Sequence, residues 1–548
     1  MLLAIAQVFN VGYPVLGGPS ILIISENKNY DGIDDLRTYI KNTWLELCRS
    51  SLVPAHDEKV SGTKYYLYIP ECENLEDIKQ KVLARNKDSG GPLPIVRYLP
   101  DDWSMIPADE HGALYVPNDF VVPGGRFNEM YGWDSFWIVK GLVRDGFVGL
   151  AKGMVEDQFY QIENYGGLVL NGTRTYYQRT HPPVTALMAV AVANVLAGKE
   201  RKDFLVRAEV ALSTNYEKFW KQKRFTPETG LFRYGHPEQA AFGLCPEVVH
   251  GERDAEGRTH YDRIIAMLEK MEDSELKNRL YDSENKTLTP YAIEGDWAMR
   301  ESGFDPSMHL GFVGLETHDY NPVCLNSLLK MHCDVLASIN KELGGPDIAD
   351  TWQDEANRMK HTIRDKLRNE GGIYMALNTR TGFLSTFPFL TTAYPLMAGI
   401  VESEEEAKTL RNYIMEHFRT PHGLCAAESD DGTQWSKIWA PLNDFVCSGL
   451  RLCGFEKDAH EIEQGFFHAV LDGFKKFRAV FEKYDPVGKT GAVTDVAFGY
   501  EVNVKGFGWT NYFVAKTIDR LHASLEPALP EKRARWDAVS VCTLQAAA

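Results

Sequence analysis

From Trp133 onward the sequence keeps a helical period almost to its end, and that regularity constrains the fold more than anything else in the chain. FWIVKGLVRDG, VGLAKGMVEDQFYQIENYG, PVTALMAVAVANVLAG and FLVRAEVALSTNYEKFWKQ follow one another across short Gly- or Pro-marked breaks. A looser polar region spans about 224–320. The period then returns in CLNSLLKMHCDVLASINKEL, IADTWQDEANRMKHTIRDKL, TAYPLMAGIV, EEEAKTLRNYIMEHF, LNDFVCSGLRLCGF, KDAHEIEQGFFHAVLDGFKKF and WTNYFVAKTIDRLHASL. These make roughly a dozen helices, many in consecutive pairs, so periodicity alone predicts a mainly helical fold. Residues 1–115 read differently. Short β-like runs such as ILIIS and KYYLYIP are broken by turns, and LEDIKQKVLARNK (75–87) is the single amphipathic helix expected there. We expect a β-containing N-terminal cap at 1–115, a helical domain at 116–525 and a C-terminal tail at 526–548.

Charge and cysteine usage narrow the partners. The net charge of −17, with no basic block, repels nucleic acid and anionic membranes and suits a small neutral ligand. No run of eighteen apolar residues is present, so no membrane span is expected. The opening MLLAIAQVFNVGYPVLGG has no early positive charge and is interrupted by Gly12, Pro14 and Gly17. It reads as strands rather than a leader, and the expected location is cytoplasmic. Nine cysteines without a CxxC pair argue against a disulfide framework or a zinc site, and no metal or cofactor is expected. Nothing in the sequence fixes an oligomeric state.

Just before the first long helix comes VVPGGRFNEMYGWDSFW (121–137). Pro123-Gly124-Gly125 breaks regular structure and permits close backbone approach. Arg126, Asn128, Glu129 and Asp134 supply forked donors and acceptors, while Phe127, Tyr131, Trp133 and Trp137 supply flat apolar faces. Sugars need both: bidentate hydrogen bonds for hydroxyl edges and aromatic platforms for C–H faces. From the residues alone, a turn capping a helix, with aromatics filling the core behind it, is the favoured reading. PGGRFNEMYGWDSFW, however, resembles the first signature of the trehalase family of glycoside hydrolases, PGGRFxExYxWDxY, with Phe136 in place of the final tyrosine.

Other breaks between helices extend the resemblance. NGTRTYYQRTHPP (171–183) is similar to the family's NGNRSYYxxRSQPP, with Asn171 and Arg179 as sugar contacts. One residue is missing before Arg179, and His181 replaces a glutamine; a neutral histidine donating to a hydroxyl, or simply packed, is expected there. RESGFDPSM (300–308) resembles ESGWD, whose aspartate is the general acid, here Asp305; an N-cap aspartate is the alternative. FEKYDPVGKTG (481–491) resembles EKYD, whose glutamate is the general base, here Glu482. GYEVNVKGFGWTN (499–511) keeps GFGWTN with Trp509, while Glu501 is displaced by one residue from the family position. QWSKIWAP (434–441) is a shortened form of QWDxPxGWAP: Gln434, Trp435 and Trp439 remain and Ser436 replaces an aspartate. CPEVV (245–249) echoes a PE motif through Glu247.

The resemblance implies an (α/α)6 barrel and an inverting glycoside hydrolase. Glycoside hydrolysis takes two carboxyls flanking the bond, one held protonated and one ionised. The implied roles are Asp305 as acid and Glu482 as base. Arg126, Phe127, Trp133, Asp134, Asn171, Arg179, His181, Glu247, Gln434, Trp435, Trp439, Glu501 and Trp509 would hold the substrate. That substrate is expected to be a small non-reducing α-glucoside of the compatible-solute type: trehalose, glucosylglycerol or glucosylglycerate. A catalytically silent sugar-binding protein is the alternative, disfavoured because two opposed carboxyls carry a desolvation cost that binding alone does not need.

Overall fold

Six helices touch in sequence and close a ring. Asp134–Arg144 meets Thr185–Ala193, which meets Val323–Leu343; the short Tyr394–Met397, then Ala440–Leu452 and Gly508–Leu525, bring the ring back to Asp134–Arg144. Val148–Asn164, Gly198–Thr214, Pro346–Lys366, Glu404–His417 and Glu456–Phe477 each follow an inner helix in the chain and form the outer layer. The fold is an (α/α)6 barrel, seen in a computed structural model that describes residues 32–55, 64–88, 91–251, 253–254, 256–428, 433–488 and 504–525. The strands expected within 1–31, Glu501 and the tail 526–548 lie outside the described residues.

Inner and outer helices differ in composition for a physical reason. Thr185–Ala193, TALMAVAVA, is apolar on every side and buried at every position, as a helix enclosed by others must be. Pro346–Lys366 buries only Ala349, Trp352, Ala356, Met359 and Ile363, a stripe at three- and four-residue spacing, and gives its other face to water.

The N-terminal region departs from expectation. Besides Leu75–Asn86 it contains a second helix, Ile33–Glu46, which packs on Gly508–Leu525 and Glu456–Phe477 and fills the sixth outer place. Tyr39 meets Phe474 at 5.2 Å between ring centroids, Trp44 Nε1 donates to Asp145 at 2.7 Å, and Arg37 pairs with the same carboxylate. The helix starts at Gly32 without a side-chain cap, so the usual start signal is absent from the sequence. Three strands, Ile95–Tyr98, Tyr66–Ile69 and Ala113–Leu114, form a parallel sheet in that order. Helix Leu75–Asn86, capped by Asn74, connects Tyr66–Ile69 to Ile95–Tyr98. Leu114 N–H donates to Thr173 C=O at 3.0 Å, tying this sheet to a loop of the barrel.

The polar region at 224–320 has a small core of its own, built on Tyr261, Ile264, Leu268, Leu280, Trp297 and Leu315. Helices His260–Lys270 and Pro290–Ser302 belong to it. Among the described residues, no helix is long and apolar enough to cross a membrane, and no three His, Cys, Asp or Glu side chains gather as a metal site would require.

Candidate active site

Four of the segments singled out above lead directly into inner helices: 121–133, 171–184, 434–439 and 504–507. Short loops between paired helices make the inner helices run in one sense, so these entries share one end of the ring. There they border a cavity of about 230 Å³. Its walls include Arg126, Phe127, Trp133, Asp134, Asn171, Arg179, His181, Glu247, Asp305, Gln434, Trp435, Trp439, Glu482 and Trp509.

Asp305 stands just past a helix end. Pro290–Ser302 stops at Gly303, whose left-handed backbone (φ 75°) serves as the C-cap. A Cβ at Gly303 would lie 3.0 Å from the Trp133 ring, so the turn fits only a glycine closely. Phe304 then wedges its ring against Trp133, Trp435 and Phe389, with centroids 5.6, 5.0 and 5.3 Å away. This anchors the backbone of Asp305, whose carbonyl accepts the Gln434 Nε2–H at 2.7 Å. The Asp305 side chain is 40 % exposed, and that exposure is to the cavity it lines. Burial raises its pKa above the ordinary carboxylate range, against the opposing pull of Arg300 and Arg179. The Arg300 Nη1 lies 3.5 Å from Asp305 Oδ2, while its Nε and Nη2 are held by Asp296 at 2.9 and 3.1 Å.

Glu482 is buried in the wall of the same cavity. Its N–H donates to Val504 C=O at 3.1 Å, and its own carbonyl accepts the Trp509 Nε1–H at 2.9 Å. Lys483 Nζ lies 3.2 Å from Glu482 Oε2 and donates to Gln434 Oε1 at 3.0 Å. Ile438–Trp439 and Lys483–Tyr484 pair as a short antiparallel ladder, which zips the two loops together. Asp134, at the first turn of its helix, is another of the four carboxyls of the wall, with Glu247 the fourth. Burial raises its pKa well above the ordinary value, and the charges of Glu482 and Asp305 raise it further.

His181 Nδ1 accepts the Trp133 N–H at 3.2 Å, which places its proton on Nε2. Burial and then Arg179 depress its pKa well below the ordinary value, so the ring is neutral. Arg179 Nη2 donates to Glu247 Oε1 at 2.6 Å and to Asn171 Oδ1 at 3.1 Å. Arg179 Nε and Nη1 and Glu247 Oε2 are buried with no hydrogen-bond partner among the described residues. Unmatched buried donors and acceptors around a cavity suit a polyhydroxylated ligand.

The 121–137 stretch divides in two. Arg126, Phe127, Tyr131, Trp133 and Asp134 face the cavity, but Asn128 and Glu129 face away. Glu129 pairs with Arg174 at 2.8 Å, and Asn128 Oδ1 accepts from Arg49 at 3.3 Å. Trp137 is fully buried in the core and does not line the cavity. Sequence reasoning offered Tyr131 as an aromatic face but missed Tyr177 as a wall residue, and with it His260, Arg263, Arg300 and Phe507. Tyr177, Arg300 and Phe507 lie inside the segments 171–183, 300–308 and 499–511 and so carried a usable signal. His260 and Arg263 belong to the polar region, where no motif pointed to them.

The family model described as Trehalase matches residues 59–522. A cytosolic neutral trehalase of Kluyveromyces lactis is 29% identical over 525 residues, which cover 83% of this chain and 66% of that relative. The chain thus spans just under two thirds of the relative's length. The solved structure of neutral trehalase Nth1 from Saccharomyces cerevisiae superposes with a TM-score of 0.71 at 24% identity, covering 89% of this chain and 94% of that one.

Proposed function

The chain belongs to the trehalase family, and from that premise we propose that it is an inverting glycoside hydrolase acting on a small non-reducing α-glucoside. The observation that carries this reading is the gathering of Asp134, Asp305 and Glu482 in one aromatic-walled cavity, with Asp305 disposed to keep its proton. Asp305 protonates the leaving oxygen. Glu482 takes a proton from water attacking the opposite face of the ring, for which the two carboxyls need a separation of about 6.5–9.5 Å. Asp134, protonated by its surroundings, donates to a sugar hydroxyl. Trp133, Trp439 and Trp509 supply platforms, and Asn171, Arg179, His181 Nε2–H and Glu247 supply polar contacts. The barrel with helix Ile33–Glu46 forms the catalytic unit and the small sheet caps it. The proposed location is cytoplasmic.

The aglycone is glucose or something smaller, such as glycerol or glycerate. Ser436 stands where the resemblance leads to an aspartate, and its hydroxyl donates to Thr433 C=O at 3.3 Å rather than lining the cavity. An acceptor left unmatched in a closed site costs about 1–3 kcal/mol, or roughly ten- to a hundredfold in affinity. A small aglycone has fewer hydroxyls to satisfy. The test is kcat/KM on trehalose, glucosylglycerol and glucosylglycerate, with NMR of the first product. Release of β-glucose, with a small-aglycone substrate cleaved at least as well as trehalose, is expected. Early α-glucose overturns inversion, a trehalose preference of about a hundredfold overturns the small aglycone, and no turnover on the whole panel favours a silent binding protein.

A further inference from the structure

Gln434 borders the cavity, which invites its reading as a sugar contact, but both ends of its amide are engaged by protein. Nε2 donates to the carbonyl of Asp305 at 2.7 Å. Oε1 accepts from Lys483 Nζ at 3.0 Å, and that ammonium lies 3.2 Å from Glu482 Oε2. The two bonds also fix which end of the amide is nitrogen, because a carbonyl can only accept and an ammonium can only donate. The residue is itself held. Its carbonyl accepts the Trp439 Nε1–H at 3.0 Å, and its side chain is almost fully buried.

We propose that Gln434 is a positioning residue that clamps the loop of the acid to the loop of the base and so sets the gap in which water attacks. The inference rests on the assignment of Asp305 and Glu482 as acid and base. Asp305 and Glu482 come from segments far apart in the chain: one follows Pro290–Ser302, the other follows Glu456–Phe477. The ladder between Ile438–Trp439 and Lys483–Tyr484 joins the Gln434 loop to the base side only. The Nε2 bond to Asp305 C=O is the polar link from that assembly to the acid. Inversion depends on the distance between two carboxyls, so a link that fixes one loop against the other acts on turnover more than on sugar affinity. An ångström of misplacement costs on the order of a hundredfold in rate.

Two variants separate the clamp from other roles. Gln434→Leu removes both arms. Gln434→Glu keeps an acceptor for Lys483 but puts a carboxylate against the Asp305 carbonyl, breaking one arm at unchanged shape. Each is expected to lower kcat by about 10–100-fold, with KM and inhibition by glucose within about threefold of the parent. A kcat within about twofold of the parent for Gln434→Glu overturns the clamp. So does a KM raised about tenfold at unchanged kcat, which marks a sugar contact. If Gln434→Leu does not fold, Gln434→Glu decides alone. Asp305→Asn and Glu482→Gln run beside them: if those two turn over normally, the underlying acid–base assignment is wrong. If they are inactive and Gln434→Glu is normal, only the clamp is wrong.

Discussion

Two groups of buried carboxyls lie one aromatic layer apart in this barrel and behave in opposite ways. In the cavity, Asp134 and Asp305 hold their protons above the ordinary range. Below it, Asp444 is buried as deeply as Asp134 yet is held down at about 2, because Lys140 and Lys516 outweigh the effect of burial. Asp444 accepts from Lys140 at 3.0 Å, from Lys516 at 2.5 Å and from Trp137 Nε1 at 3.1 Å. Lys516 continues to Glu463 at 3.0 Å, and Arg451 and Arg520 reach the same glutamate at 2.7 and 2.5 Å. The network joins Asp134–Arg144, Ala440–Leu452, Glu456–Phe477 and Gly508–Leu525. Trp137 separates the groups: its ring meets Trp133 at 5.5 Å on the cavity side while its Nε1 points to Asp444. Burial alone therefore does not decide a carboxyl's state. Dedicated cations make Asp444 a structural anion, while near Asp305 the cations are committed elsewhere, Arg300 to Asp296 and Arg179 to Glu247, and burial keeps its pKa raised.

Breaking each side tests the contrast. The largest expected effect is on the cavity side: Asp305→Asn and Glu482→Gln each lower kcat by on the order of 10²–10⁴-fold with the fold intact. Circular dichroism and sugar binding by calorimetry check the second half; near-normal turnover removes that residue from its role. Asp444→Ala does the reverse. It leaves Lys140 and Lys516 facing each other without their shared anion and is expected to cost about 3–5 kcal/mol of stability. Denaturant titration reads that loss, and kcat of the remaining folded enzyme stays close to the parent. A large kcat defect with unchanged stability would erase the distinction between the two regions.

The smallest and sharpest test is pH. Asp305, with its folded pKa raised, supplies its proton below that pKa, so kcat/KM falls as pH rises through it, above the ordinary aspartate value of about 3.9. Asp444, with its folded pKa depressed to about 2, contributes stability that is complete above the unfolded value and lost as pH falls through the folded one. Activity is thus expected to fade on the alkaline side while the fold persists, and the Asp444 contribution to stability to fade only below about pH 4. An alkaline limb that coincides with unfolding would show that activity follows the fold rather than Asp305.

Much of this was legible in the chain itself. The apolar stripes of helices such as Pro346–Lys366 gave the helical class, because a helix facing a core on one side must repeat at its own period. The carboxyls, aromatics and forked donors of 121–137, 171–183, 300–308 and 481–491 suit a sugar, but they were picked out by their resemblance to the trehalase family's motifs; residue chemistry alone left a helix cap and core aromatics open. Ring closure was not legible in the periodicity and was implied only by the family resemblance. It depends on Gly508–Leu525 meeting Asp134–Arg144, and on Ile33–Glu46, a helix without a capping side chain, taking the last outer place. Which way a loop residue points was not legible either. Arg126 and Glu129 stand three positions apart, yet one faces the cavity and the other turns back to Arg174. Local sequence records what a residue is able to bind; its partner, whether Lys140 under Asp444 or Gln434 between the loops of Asp305 and Lys483, comes from distant segments that only packing brings within hydrogen-bond reach.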